Sequence, residues 1–235
     1  MSGHAWPRPL KAVVFDVDGT LYRQAPLRRA MLARLLTAHA FHPVGAWRTF
    51  SALQAYRRAH ERLRGNAVID LAAAQLQLAS EQSRLDPRRV AASVERWMER
   101  EPLSLLRRYV QPGLVEFLEA CRARGVRLAT LSDYPADAKL QALQVASYFE
   151  VNLSAQARAV GMLKPSPRGL QVLLDRLDVE PSEALYVGDR ADVDAAAAHA
   201  ADVACAILTL KRRPPITESY FAASSYAHLR QALFG

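Results

Sequence analysis

The sequence predicts an α/β protein, a parallel sheet with helices on both faces, interrupted once by an all-helical insertion. Three observations predict it. The short apolar run Val13-Val14-Phe15 stops abruptly at Asp16-Val17-Asp18-Gly19-Thr20, as a buried strand does when it ends in a polar loop. From Pro112 onward, strand-like runs are separated by single stretches of helical periodicity, which implies parallel pairing. Between these two regions nearly ninety residues repeat their apolar side chains at intervals of three and four, and nothing alternates like a strand.

Taken in order, the insertion reads as four amphipathic helices. Leu27, Met31, Leu35 and Ala38 make the first stripe; Phe50, Leu53, Tyr56 and Leu63 the second; Ile69, Ala72, Ala73, Leu76 and Ala79 the third; Val90, Val94, Trp97 and Met98 the fourth. Pro26, Pro43, Gly65-Asn66 and Asp86-Pro87 punctuate them, with Asp86 suited to cap the helix that Pro87 opens. A helix over 112–124 then ends at Gly125. Strand 126–131, helix 136–144, strand 149–153, helix 167–177, strand 184–187, helix 193–200, strand 203–208 and helix 226–233 complete the chain. There is no internal repeat and no low-complexity tract. About five parallel strands are expected, with the insertion after the first forming a separate unit.

The 235 residues, 51% hydrophobic, suffice for a large core and exclude a disordered chain. Cys121 and Cys205 form no CxxC or ligand spacing, which suits buried thiols in a reducing compartment. The first eleven residues hold two prolines and no long apolar core, so neither a secretion signal nor an anchor is expected there. No apolar run approaches the ~18 residues needed to cross a bilayer. A cytoplasmic protein with no membrane partner is the expectation. The net charge of +8 is concentrated in one place: residues 23–110 carry 16 Arg and no Lys against 7 acids. That excess suits anionic substrates, although a general preference for Arg, 27 against 4 Lys in the whole chain, accounts for it equally well. No nucleic-acid-binding motif accompanies it, so nucleic acid is not an expected partner.

Two carboxylates closing an apolar strand need either a compensating cation or an outward-facing loop, since an unpaired buried charge is costly. Ligands of open parallel sheets bind beyond the carboxyl ends of the strands, and three strands here end in polar clusters: 16–20, Thr130-Leu131-Ser132-Asp133, and Gly188-Asp189 with Asp192 and Asp194. Lys164-Pro165 lies in the loop after the strand at 149–153. Together and in this order, Asp16-Val17-Asp18-Gly19-Thr20, Ser132, Lys164 and the Gly-Asp-x4-Asp stretch from Gly188 to Asp194 resemble the four motifs of the haloacid dehalogenase superfamily. The insertion's position resembles that branch in which phosphoglycolate phosphatases fall. The resemblance implies a Rossmann-like core over 1–22 and 111–235 and a helical cap over 23–110. It implies Mg²⁺-dependent hydrolysis of a small phosphorylated metabolite, with Asp16 as nucleophile and Asp18 as the acid that protonates the leaving alcohol and then activates water. The Mg²⁺ would be held by Asp16, the Asp18 backbone carbonyl, Asp189 and Asp194. Spacing alone leaves Asp192 as an alternative to Asp194. Ser132 and the neighbouring backbone N–H at Asp133 would hold phosphate oxygens, and Lys164 would offset charge on nucleophile and phosphate. An acid at Asp18 favours phosphate esters over haloacids. The same motifs also serve intramolecular phosphotransferases such as sugar-phosphate mutases, and a non-catalytic binding protein is a third reading. The histidines make no metal spacing and read as ordinary surface or core residues.

Overall fold

Strand β1 (Ala12–Phe15) is the shared middle of the molecule, and both faces of it are buried. In the computed structural model, which describes residues 6–209 and 219–235, the chain leaves β1 through the Asp16–Thr20 turn and enters a helical block. This comprises α1 (Gln24–Ala38), α2 (Pro43–Leu63), α3 (Leu71–Ser83) and α4 (Pro87–Val94), which runs on as a π-helical turn, Glu95–Arg100, into the short α5 (Leu103–Leu106). Chain entry and exit are stitched together: Tyr22 and Val110 form an isolated antiparallel bridge, the Arg23 N–H donates to the Tyr109 carbonyl at 2.7 Å, and the Gln111 N–H donates to Leu21 at 3.0 Å. The block has an apolar centre of its own, with Leu35, Ala52, Leu53, Tyr56, Ala59, Ala79, Val90, Val94 and Trp97 buried together.

The helix starts follow from local chemistry. The Asp86 carboxylate accepts from the Arg88 N–H and caps α4 ahead of Pro87, as expected, and Asp70 caps α3 through the Ala73 N–H. The expected stripe on α3 is corrected. Ile69 lies outside the helix and is 99% exposed, whereas Leu71, Gln75 and Ala79 face inward. Gln75 tolerates burial because its amide donates to the Tyr56 carbonyl and to the Tyr134 hydroxyl, both at 2.9 Å. Alanines 72 and 73, with little apolar surface to hide, turn outward.

The remainder alternates as expected: α6 (Leu114–Arg122), β2 (Arg127–Ser132), α7 (Asp137–Ala142), β3 (Val151–Ser154), α8 (Arg168–Leu177), β4 (Ala184–Gly188), a π-helical turn Ala191–Ala195 leading into α9 (Ala196–Ala200), β5 (Ala204–Leu208), β6 (Phe221–Ala223) and α10 (Tyr226–Phe234). The strands form one sheet in the order β3-β2-β1-β4-β5-β6, with every pairing parallel. β6 was not expected; three residues are too few for a period of two to stand out. Alternation along β1 assigns its side chains to opposite layers: Val13 and Phe15 pack with Phe117 of α6 and Tyr226 of α10, Ala12 and Val14 with Leu170 of α8 and Ala198 of α9. In register, Phe15 lies beside Thr130 on one side and Val187 on the other. The three strands therefore run out level with each other, and their polar ends share one edge of the sheet.

Candidate active site

At that edge the two motif glycines are dictated by the carboxylates that lie over them. Gly19 has φ +105°, and a Cβ there would sit 2.0 Å from Asp189 Oδ2. A Cβ on Gly188 would meet the Asp194 side chain at 2.4 Å. Asp16, 5% exposed at the end of β1, accepts from Lys164 Nζ at 2.6 Å and from the Thr20 hydroxyl at 3.0 Å. The buried Lys164 ammonium places all three of its donors: Asp16, Asp194 Oδ1 at 2.7 Å, and the Tyr186 hydroxyl at 3.1 Å. Asp194 Oδ2 accepts from the backbone N–H groups of Asp189 and Arg190 at 3.2 and 3.0 Å, which ties the fourth loop to the same cluster.

Asp16, Asp189 and Asp194 each offer a carboxylate oxygen, and the three oxygens lie within 4.8 Å of one another. Asp192 does not join them; it stands at the surface, paired with Arg190. Burial drives the Asp16 carboxyl well above the usual range, with Lys164 opposing and Asp194 adding to it. Burial and then Asp194 push Asp189 up to about 6. Burial acts against the Lys164 charge, yet Asp16 and Asp194 more than offset it and hold its pKa well above the ordinary lysine value. Four carboxylates, counting Asp18, meet two ammoniums here, Lys164 and Lys139, which leaves a deficit of two positive charges. A divalent cation with oxygen ligands fits both the donor set and the deficit.

Asp18 sits at the mouth of the cluster with its side chain 22% exposed. It accepts from Lys139 Nζ on both oxygens, at 2.6 and 2.8 Å, and from the Tyr22 hydroxyl at 2.5 Å. Burial acts against ionisation, but Lys139, followed by Tyr22, keeps its carboxyl below the ordinary value. Ser132 is buried and its Oγ accepts the Tyr134 N–H at 3.3 Å. The Asp133 side chain is turned to the helical block: it accepts from Arg64 Nη1 at 3.0 Å, meets His60 Nε2 at 3.1 Å, and receives the Lys164 N–H at 3.4 Å. Burial opposes its charge, but Lys164, His60 and Arg64 hold it far below the usual carboxylate range. An anion so engaged repels phosphate, so any contact to a phosphate oxygen falls to the Asp133 backbone N–H.

Helix α2 is thus fastened over the site. His60 also stacks on Tyr134, ring centroids 4.8 Å apart, and Arg64 donates to the Lys164 carbonyl. Arg190, next to Asp189, reaches Glu61 of α2 at 3.2 Å. Arg57, one residue after the Tyr56 that stacks on Tyr134, has its pKa lowered by partial loss of water around its head and by Arg28; among the described residues neither arginine has a carboxylate within 4 Å. Lys139, His60 and Arg64 were not anticipated. Lys139 had a usable signal, as one of only four lysines and seven residues beyond Ser132.

Comparison with known proteins agrees with this geometry. The family profile described as haloacid dehalogenase-like hydrolase matches residues 10–202. A phosphoglycolate phosphatase of Thiobacillus denitrificans is 30% identical over 220 residues, spanning 91% of this chain and 90% of its own. A glyceraldehyde 3-phosphate phosphatase of Methanopyrus kandleri is 31% identical over 189 residues, covering 79% of this chain and 78% of its own. The crystal structure of a 2-haloacid dehalogenase from Pseudomonas syringae superposes with a TM-score of 0.67 at 22% identity, over 95% of this chain and 98% of that one, and shares the fold.

Proposed function

The chain belongs to the haloacid dehalogenase-like hydrolase family, and we propose that within it the protein is an Mg²⁺-dependent phosphatase of small phosphate monoesters, acting through an aspartyl phosphate on Asp16. The observation that carries this reading is the unequal treatment of two neighbouring carboxylates. Asp16 lies buried against Lys164, whereas Asp18, two residues on, sits at the mouth between Lys139 and Tyr22. Asp16 is set in this reading as a nucleophile against a fixed positive charge, and Asp18, held as a carboxylate by Lys139 and Tyr22, as the group that takes a proton from the incoming water.

Asp16 Oδ, as a carboxylate, attacks phosphorus; the bond to the ester oxygen breaks with its electron pair, and that oxygen takes a proton from the protonated form of Asp18, the minor form beside Lys139. Water then attacks the aspartyl phosphate, giving its proton to Asp18 and returning Asp16 as a carboxylate. Lys164 lies against Asp16 throughout and offsets charge on the equatorial oxygens, which the Ser132 hydroxyl and the Asp133 N–H also face. Asp16, Asp189, Asp194 and the Asp18 carbonyl would hold the Mg²⁺, which when bound supplies Lewis-acid neutralisation of phosphate charge. Residues 23–110 act in this reading as the cap that excludes water, fastened by His60 and Arg64 to Asp133. A cytoplasmic setting is supported by two buried free thiols, Cys121 and Cys205, and no helix is long and apolar enough to cross a membrane.

The test is release of inorganic phosphate from a panel of phosphorylated metabolites in Mg²⁺. Phosphoglycolate and glyceraldehyde 3-phosphate, named by the relatives, belong on it. Net release of phosphate supports hydrolysis, isomerisation of a sugar phosphate without release would support the mutase reading, and inertness towards the whole panel would oppose both.

A further inference from the structure

Lys139 stands outside every motif that led to this site, yet it makes one of its closest contacts. It projects from α7, 121 residues from Asp18 in sequence, and its side chain is 15% exposed. A carboxylate oxygen has two lone pairs to offer. Asp18 Oδ1 spends both, one on Lys139 at 2.6 Å and one on Tyr22 at 2.5 Å. Oδ2 spends one, on Lys139 at 2.8 Å, and no other protein donor reaches it among the described residues. The carboxylate is therefore held at both ends with a single open lone pair. Lys164, whose three donors are committed to Asp16, Asp194 and Tyr186, is left undisturbed.

We propose that Lys139 is a positioning residue for Asp18: it presents the carboxylate with Oδ2 open to the water that attacks the aspartyl phosphate. The proposal rests on the phosphatase reading above. In that step the water oxygen bonds to phosphorus, the bond from phosphorus to Asp16 breaks with its electron pair returning to Asp16, and the water proton passes to Asp18 Oδ2. An ammonium that grips both oxygens, with Tyr22 on one of them, fixes the orientation of the carboxylate and so which oxygen receives the proton. The first step needs less from it when the leaving group departs without a proton. A nitrophenolate is such a group, so loss of Lys139 should fall chiefly on the second step.

The measurement is rapid-mixing release of nitrophenolate from 4-nitrophenyl phosphate in Mg²⁺. Lys139→Met should give a burst of about one nitrophenolate per enzyme, the mark of an accumulating covalent intermediate, then a steady rate lower than wild type by ~10-fold or more, within the range general base catalysis commands. Lys139→Arg should restore most of the steady rate. Tyr22→Phe, nearly isosteric, should shift the same balance less. In an Asp18→Asn background Lys139→Met should cost nothing further, because it acts through Asp18. A burst-free loss of both phases in proportion, a wild-type rate in Lys139→Met, or an additive loss in the Asp18→Asn background would each overturn the proposal. A wild-type protein inert to every phosphate ester would instead remove the phosphatase reading on which it stands.

Discussion

Asp189→Asn should make the metal-free protein more stable at neutral pH while making it a poorer metal binder. Asp189 is partly buried beside Asp194, and its carboxyl is pushed from 3.8 up to about 6. A carboxyl whose folded pKa lies above its unfolded one binds its proton more tightly when folded. The stability it contributes is full below about pH 4 and is lost as pH rises through about 6. Moving this carboxyl from 3.8 to about 6 is worth ~3 kcal/mol, an upper bound because the side chain keeps some contact with water. Urea unfolding in chelator between pH 4.5 and 7.5 should show the wild type losing up to that amount through this residue, and Asp189→Asn escaping the loss. Saturating Mg²⁺ should reverse the order, since a ligand at ~100 times its Kd stabilises the form that binds it by ~2.7 kcal/mol. If Asp189→Asn is the less stable protein at pH 7.5 in chelator, then the carboxylate's attraction to Lys164 and Arg190 outweighs its burial beside Asp194, and the reasoning fails.

Asp16→Asn should abolish turnover while leaving circular dichroism unchanged, because the amide keeps the volume and cannot attack phosphorus; wild-type-like activity in a folded variant would remove Asp16 as nucleophile. Lys164→Met strands Asp16 and Asp194 without their cation and should cost ~3–5 kcal/mol at pH 7. Because Asp16 readily takes up a proton, the same variant should lose less at pH 5, as denaturant midpoints at the two pH values would reveal. Arg57→Gln should lower kcat/KM for a multiply charged phosphate and flatten its decline with salt, while leaving a singly charged aryl phosphate unaffected, because steering is screened within ~8 Å at physiological ionic strength. Equal salt slopes for both substrates in both proteins would show that Arg57 takes no part in attraction.

What the sequence determined by itself were the features that short windows encode. An apolar strand broken by Asp16 and Asp18, a glycine at 19, a lysine in the loop after β3 and alternating helix and strand from Pro112 are all local patterns, and they sufficed for the fold class and for Asp16, Lys164, Asp189 and Asp194 as candidates, whereas the clash a side chain at 19 would make with Asp189 arises only on folding. The register of β1 with β2 and β4 then brought those residues to one edge, as the rule for parallel sheets anticipates. Partners far apart in the chain were another matter. His60 meets Asp133 across 73 residues and Lys139 meets Asp18 across 121, and nothing in the periodicity of α2 or α7 marks those side chains as different from solvated ones. The choice between Asp192 and Asp194 was equally hidden, since both stand on the π-helical turn after β4 and only packing beneath Lys164 buries one and leaves the other beside Arg190. Gln75 shows the same limit inside the helical block. Its polarity argued for solvent, and only the folded approach of the Tyr56 carbonyl and the Tyr134 hydroxyl made its burial affordable. Periodicity records which face of an element is apolar; which polar group it meets depends on how elements distant in sequence dock, a choice made by the packing of the whole.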